Sequence, residues 1–293
     1  MRTLNTFGFI LILAIFFVEL FFTLIHKSEK GKIKDMIANI FLGMGTIFTV
    51  LFMKGITFGL YSFIYLFAFF KPERSVGLWI AALFLFDFIH YLYHFLSHKS
   101  RLFWAGHVTH HTSRYFNFSV GIRLNGIQIC YRFLFWAPMC IIGIPPEMVL
   151  IYESLSSIQN FLIHTEKVGK MRGIDWIFNT PSNHRVHHGS NPEYLDKNLG
   201  GIFMIFDHLF GTYKKETIKA DYGITDNINT YNPFNLMLHG YADISNNLAI
   251  KGRLKDKIRF LFSKPGSGIP ISFCNEKRLD NPIPQGLNNE YVL

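Results

Sequence analysis

The chain has 293 residues, 49% of them hydrophobic and 17% aromatic, and only 17% are charged, against roughly 25% in an ordinary soluble domain. That balance argues against a conventional soluble enzyme and suits a chain dissolved largely in lipid. The net charge of +9 comes without an aromatic-basic recognition pattern, which sets nucleic acid aside as a partner. The scattered Cys130, Cys140 and Cys274 exclude a disulfide framework or a thiolate metal site.

Residues 7–25, FGFILILAIFFVELFFTLI, carry one charge, Glu19, and are about long enough to cross a bilayer core. The run is too long for a signal-peptide core and no A-x-A-like site follows it, so a membrane span is expected. Residues 36–70 are almost continuously apolar and read as one long tilted span or two short ones. Residues 76–96 form another apolar stretch, ending in the histidine-rich HYLYHFLSH. The segment 127–164, with Pro138 and the turn GIPP, reads as a helical hairpin that enters and leaves the membrane on one side. After residue 165 no stretch is long enough to span, so 165–293 is expected on the polar side, with FLFSKPGSGIP touching the surface. No alternating strand pattern appears. The expected fold is an all-α integral membrane protein with four or more transmembrane helices and a helical cap built from 97–123 and 165–250. Lys and Arg crowd around the histidine-rich segments, which by the positive-inside rule face the cytoplasm and meet anionic lipid. The Lys-, Asn- and Ile-rich composition favours a bacterial inner membrane over the endoplasmic reticulum.

The thirteen histidines are unevenly placed. GHVTHHTS and NTPSNHRVHHGSNP each contain H-x-x-H-H, as His107, His110, His111 and as His184, His187, His188; chance places roughly 0.03 copies in such a chain. Residues i, i+3 and i+4 share a helix face, so His94 and His98 point one way, as do the members of each triplet. His90 continues the first ladder back by one turn. Neutral imidazole is a strong ligand for first-row metals, and no single cluster fills a coordination sphere. Three converging clusters would hold two metals, with His164 at the end of the hairpin as a candidate bridge between the clusters. His26, His208 and His239 stand alone and read as hydrogen-bonded boundary histidines. A metal transporter would place its ligands within the spans, whereas these lie at span ends and in polar loops.

DFIHYLYHFLSHKSRLFWAGHVTHHTSRYFNFSVGIR and IHTEKVGKMRGIDWIFNTPSNHRVHHGSNPEYLDKNLGGIFMIFDHLFGTY resemble the two halves of the fatty acid hydroxylase superfamily, the membrane di-metal group that includes sterol desaturases. Within it, WAGHVTHH, HTE, NTPSNHRVHHG, DKNLGG and YGITDNINTYNPF are most similar to the alkylglycerol monooxygenase branch. The resemblance runs from about residue 16 to 270. It implies N-terminal transmembrane segments over 1–75, a hydroxylase-like catalytic domain over 76–250 and a polar tail over 251–293. It also implies a di-iron site ligated by His94, His98, His107, His110, His111, His164, His184, His187 and His188, with no catalytic residue beyond these ligands. The family usually carries an aromatic at the position of His90, which argues against that residue as a ligand. The ether-lipid branch has an acidic residue where this chain has Lys99, and extends further at the C-terminus.

An all-imidazole set brings no negative charge to the metals, so carboxylates are expected to orient the rings; Asp87, Glu166, Asp196 and Asp207 are candidates, with Asn117 and Asn198 steadying the loops. The implied activity is hydroxylation of a lipid C–H bond using O2, with cleavage of an ether lipid as the branch suggests. Electrons would come from tetrahydropterin or from an electron-donor protein, and the partners are the lipid substrate and the bilayer. The alternatives are a sterol or fatty-acyl desaturase and, from another class, a membrane metal-binding or transport protein.

Overall fold

The computed structural model describes residues 14, 15, 17–21, 23, 25 and 30–267; the expected span at 7–25 lies largely outside these, and Cys274 wholly so. Among the described residues the chain is helical, with no strand and only two isolated bridges, Phe178 to Phe203 and Gly189 to Tyr222.

The apolar run at 36–70 is one helix, α1 (Lys30–Leu66), about 55 Å long at 1.5 Å per residue. Its distal half exposes Phe48, Leu51 and Phe52, whereas the proximal half buries Asp35, Asn39 and Leu42 against the rest of the chain. α2 (Val76–Lys99) starts where Ser75 accepts a bond from the Leu78 amide, which satisfies one orphan donor of the first turn. α1 and α2 are both long and apolar enough to cross a membrane.

The 127–164 segment is a hairpin. Its descending arm is broken into α4 (Gly126–Arg132), a 3-10 turn and α5 (Ala137–Ile142), and its ascending arm is α6 (Pro146–Leu162). Gly143, at φ +121°, turns the chain, and a Cβ there would fall 2.2 Å from the Phe70 carbonyl oxygen. The Phe69 amide donates to Ile141 O at 2.9 Å, so the hairpin tip abuts the α1–α2 loop and its two free ends reach the histidine end. Tyr61, Phe86, Trp136, Met139 and Met148 fill the space between these helices.

At the histidine end lie α3 (Arg101–His111), α7 (Ile174–Ile177), α8 (Pro181–His187), α9 (Ile205–Phe210), α10 (Pro233–Leu248) and α11 (Leu254–Phe262). A buried ion pair, Arg123 to Asp35 at 3.1 Å, with Asn39 accepting from the same guanidinium at 2.6 Å, ties α1 to the strap after α3. α11 docks on the α2–α3 junction, where the Arg101 amide donates to Ser263 O at 3.0 Å and Ser100 to Leu261 O at 3.1 Å. α9 lies instead along the side of α2, with Phe206 and Phe210 against Phe88 and Tyr91.

Candidate metal centre

Nine buried histidines gather into two groups whose ligand nitrogens lie within 4.8 Å of one another. His94, His98, His107, His111 and His187 form the first; His110, His164, His184 and His188 form the second. These are the nine residues expected from sequence. His90 belongs to neither group; its ring sits 5.8 Å from that of His94 and 6.2 Å from Trp136. His208 bonds the Trp176 carbonyl and His239 the Leu236 carbonyl, the ordinary roles expected of isolated histidines.

The helix repeat explains the partition. At 100° per residue, i+4 falls about 40° to one side of i and i+3 about 60° to the other. In the first H-x-x-H-H the i and i+4 rings, His107 and His111, join the first group while His110 turns to the second. In the other motif, His184 and His188 join the second group and His187 crosses to the first. Each motif therefore gives two rings to one group and one to the other. His164 sits among rings from both motifs in the second group: its Nε2 lies 3.2 Å from those of His110 and His188 and 3.0 Å from that of His184. Nitrogens about 2.0–2.1 Å from one tetrahedral ion would be about 3.3 Å apart.

The ring protons show that these contacts need a cation. His110 Nδ1 donates to Arg123 O at 3.2 Å and His164 Nδ1 to Asn160 O at 2.5 Å, since a carbonyl only accepts. Both facing Nε2 atoms are then bare lone pairs. Burial pushes the His110 ring down to about 4 and holds His107, His111, His184, His187 and His188 well below the usual imidazole value, with neighbouring rings adding to the effect. A proton is therefore a poor occupant, and a metal ion fits the donor set. The nitrogens His98 Nε2 and His187 Nε2 are buried with no hydrogen-bond partner, a cost of about 1–3 kcal/mol each that ligation would relieve.

Negative potential comes from the backbone. α2, α3, α6 and α8 end at Lys99, His111, Leu162 and His187, with ring-bearing residues in or just after their last turns. Helix C-termini carry partial negative charge and favour cations. Among the described residues, Asp196 brings a carboxylate to the grouped rings, 3.6 Å from His98 Nδ1. Burial alone would raise its carboxyl, but His98 and Lys99 hold it below the usual carboxylate range. Lys99 pairs with Asp196 directly, and Lys264 lies 3.2 Å from it. The ammonium of Lys99 is thus turned to a carboxylate, not to the rings.

The other acids act through backbone. Asp207 accepts from the Leu199 and Gly200 amides, both at 2.7 Å, and from Thr212 at 2.6 Å. Asp87 accepts from the Ile202 amide at 2.6 Å and the Phe203 amide at 3.0 Å. Between them they clamp the loop 197–203, whose carbonyls fix two rings: Leu199 O takes His94 Nδ1–H at 2.9 Å and Lys197 O takes His187 Nδ1–H at 3.1 Å. Glycine is required here, because a Cβ on Gly200 would sit 2.4 Å from Phe203 O and one on Gly201 2.5 Å from Asp87 Oδ1. Asp196 and Asn198 enter the loop at φ +58° and +54°, a region these residue types tolerate. Asn198 bonds Asn183 O and Lys214 O and steadies the loop, whereas Glu166 faces Tyr222 at 3.2 Å, away from the rings. Sequence reasoning missed Gln128, whose carboxamide lies 3.4 Å from His107 Nδ1, and Arg185, which grips Glu216 in two bonds and the carbonyls of Thr165 and Val168. Arg185 joins the segments bearing His164 and His184; its place inside N-H-R-V-H-H was the available signal.

Residues 79–212, which contain all nine histidines, match the fatty acid hydroxylase family. The histidine-bearing part of the chain is thus similar to the fatty acid hydroxylases. Human alkylglycerol monooxygenase is 32% identical over 261 residues, covering 87% of this chain and 58% of that protein. The alkylglycerol monooxygenase of Caenorhabditis elegans is 40% identical over 187 residues, 63% of this chain and 36% of that protein. The ornithine lipid hydroxylase OlsE of Rhizobium tropici is 27% identical over 153 residues, 51% of this chain and 46% of that protein. The chain is thus similar to enzymes named for lipid substrates, and it spans about half the length of the curated relatives it matches. No solved structure matches the chain.

Proposed function

We infer that this is a membrane-bound lipid monooxygenase whose nine histidines ligate two iron ions, and that its substrate is an ether lipid of the alkylglycerol class. The observation that carries this reading is the two-group histidine centre at the polar end of apolar helices. Two bound iron ions would supply reduction of O2 and attack on an unactivated C–H; one oxygen atom enters the C–H bond and the other leaves as water, with two electrons and two protons from a reductant. Hydroxylation beside an ether oxygen gives a hemiacetal that collapses to an aldehyde and an alcohol.

The protein's part is to hold the rings, keep them dry and admit an alkyl chain. Trp104 packs against the rings of His98 and His111, at 5.3 and 5.6 Å. Phe116 stacks on Tyr222 at 5.0 Å and covers His164 and His188 at 5.4 and 5.3 Å. These two aromatic plates shield rings of both groups, and an alkyl chain would enter from between the apolar helices. α1, α2 and the two arms of the hairpin make four passes of the bilayer, with the histidine end at the cytoplasmic face of a bacterial inner membrane. The ether-lipid branch has an acid where this chain has Lys99, whose ammonium is tied to Asp196, and on that difference the reductant is taken to be an electron-donor protein.

The test supplies iron-loaded protein with an alkylglycerol and labelled O2, once with tetrahydropterin alone and once with a ferredoxin-type donor and its reductase. Aldehyde with one labelled oxygen atom in the donor arm is the expected result. Turnover on tetrahydropterin alone would overturn the reductant assignment, and label-free lipid in both arms would overturn the oxygenase reading.

A further inference from the structure

Residues beyond 165 were expected on the polar side, yet α7 and α9 present a continuous apolar surface. Trp176, Ile177, Ile205, Leu209 and Phe210 are 63%, 47%, 51%, 71% and 52% exposed. Of the polar groups of α9, Asp207 is turned away from that surface and the half-buried His208 is tied to Trp176 at its edge. Asp207 is fully buried beneath the 197–203 loop, and His208 donates to the Trp176 carbonyl at 2.9 Å with its ring 4.7 Å from the indole. What remains outward is hydrocarbon, with Lys167, Lys170 and Arg172 just before it in the chain.

The depth of this surface follows from its contacts with α2. Phe203 stacks on Phe84 at 5.0 Å and Phe206 on Phe88 at 5.2 Å. Phe84 lies ten residues before His94, so it sits about 15 Å down the helix from the first histidine. A bilayer core of about 30 Å takes up about twenty residues of a helix, and counted from Val76 that core ends near Phe95. Phe84 and Phe88 are therefore at hydrocarbon depth, and whatever packs on their outer side is immersed with them.

We propose that α7 and α9 form a membrane-embedded flap on the outer face of α2, inserted into the leaflet nearest the metal centre, with lipid acyl chains as its occupant and the cations at 167–172 at the anionic headgroups. An amphipathic tryptophan beside basic residues is the usual composition of such a boundary. The flap carries Phe203 and the start of α9 on the same clamp that fixes His94 and His187, so the leaflet abuts the support of the first histidine group. The inference rests on the reading of α1 and α2 as membrane spans, and the test separates the two.

Protein with Cys130, Cys140 and Cys274 replaced receives single spin labels at Leu209→Cys, Leu51→Cys or Ile218→Cys and is reconstituted in phosphatidylglycerol-containing vesicles. Collision with O2 is compared with collision with a water-soluble nickel chelate. O2 should dominate at 51 and 209, and the chelate at 218. Chelate dominance at 209 with O2 dominance at 51 overturns the flap alone; chelate dominance at both overturns the spans as well. A second measurement uses otherwise native protein: Trp176→Phe should remove a component of the emission that brominated lipids quench, and an unchanged quenched fraction would refute the insertion.

Discussion

Replacing Asp207 by Asn should loosen one histidine group and spare the other. The buried carboxylate accepts three hydrogen bonds, from the Leu199 and Gly200 amides and from Thr212. An amide in its place turns one acceptor oxygen into an NH2 that faces a backbone N–H. That leaves a buried donor unmet, at about 1–3 kcal/mol, and the remaining bonds lose the charge that made them roughly twice as strong as neutral ones. The destabilised loop carries the carbonyls that orient His94 and His187, both members of the first group. Loss of such outer support typically lowers metal affinity by about 10- to 100-fold. The assay is chelator titration of purified, metal-loaded protein with metal content read by mass spectrometry. One equivalent should leave Asp207→Asn protein at about 10- to 100-fold lower chelator, and the second at the parent concentration. In a His184→Ala background, which leaves the first group intact, the shift should persist; in a His94→Ala background it should vanish. A shift in the second equivalent, or none in either, would refute the clamp.

Three further outcomes follow from the same geometry. His90→Tyr should keep full metal content, because His90 lies outside both groups, whereas His94→Ala should lose metal from the first; mass spectrometry of the two purified variants decides, and the reverse result would shift the ligand register by a turn. Gly200→Ala should destabilise by about 1–3 kcal/mol through overpacking, since its Cβ meets backbone oxygen at 2.4 Å; an unchanged melting temperature would show that the loop yields. For Glu216, burial alone would raise the carboxyl, but hydrogen bonds from Arg185 and Ser182 and the charge of Arg185 hold it below its ordinary 4.5. Its stabilising share is fully present above pH 4.5 and is lost as pH falls through the depressed value. Glu216→Gln protein should therefore be less stable near neutrality and flatter in stability against pH below 4.5, and parallel profiles would contradict it.

The ligands were legible because three of the four histidine-bearing segments are helical and the fourth, His164, ends one; spacing alone states which rings share a face. Their division between two groups was not, since it depends on how α3 and α8 face each other across the centre. The roles of Asp87 and Asp207 were half legible: their importance could be suspected, but a carboxylate that acts through loop amides, 115 and 116 positions on for Asp87 and eight and seven back for Asp207, leaves no spacing signal. Lys99 follows His98 directly, yet its ammonium pairs with Asp196, ninety-seven positions on, which spacing does not state. The two long apolar helices were plain from hydropathy. The flap was hidden because α9 is six residues long and carries Asp207 and His208, which break any apolar window while facing inward.

The crossed allegiance of the two H-x-x-H-H motifs bears on how the protein is made. Neither group can be completed from the first 163 residues, since the first needs His187 and the second needs His164, His184 and His188. A chain emerging during synthesis thus holds four converging imidazoles long before the fifth arrives, and any ion captured early sits in an unfinished site. Completing either group requires the rings of α8 to meet those of α3. A product ending before residue 164 would lack one ring of the first group and three of the second.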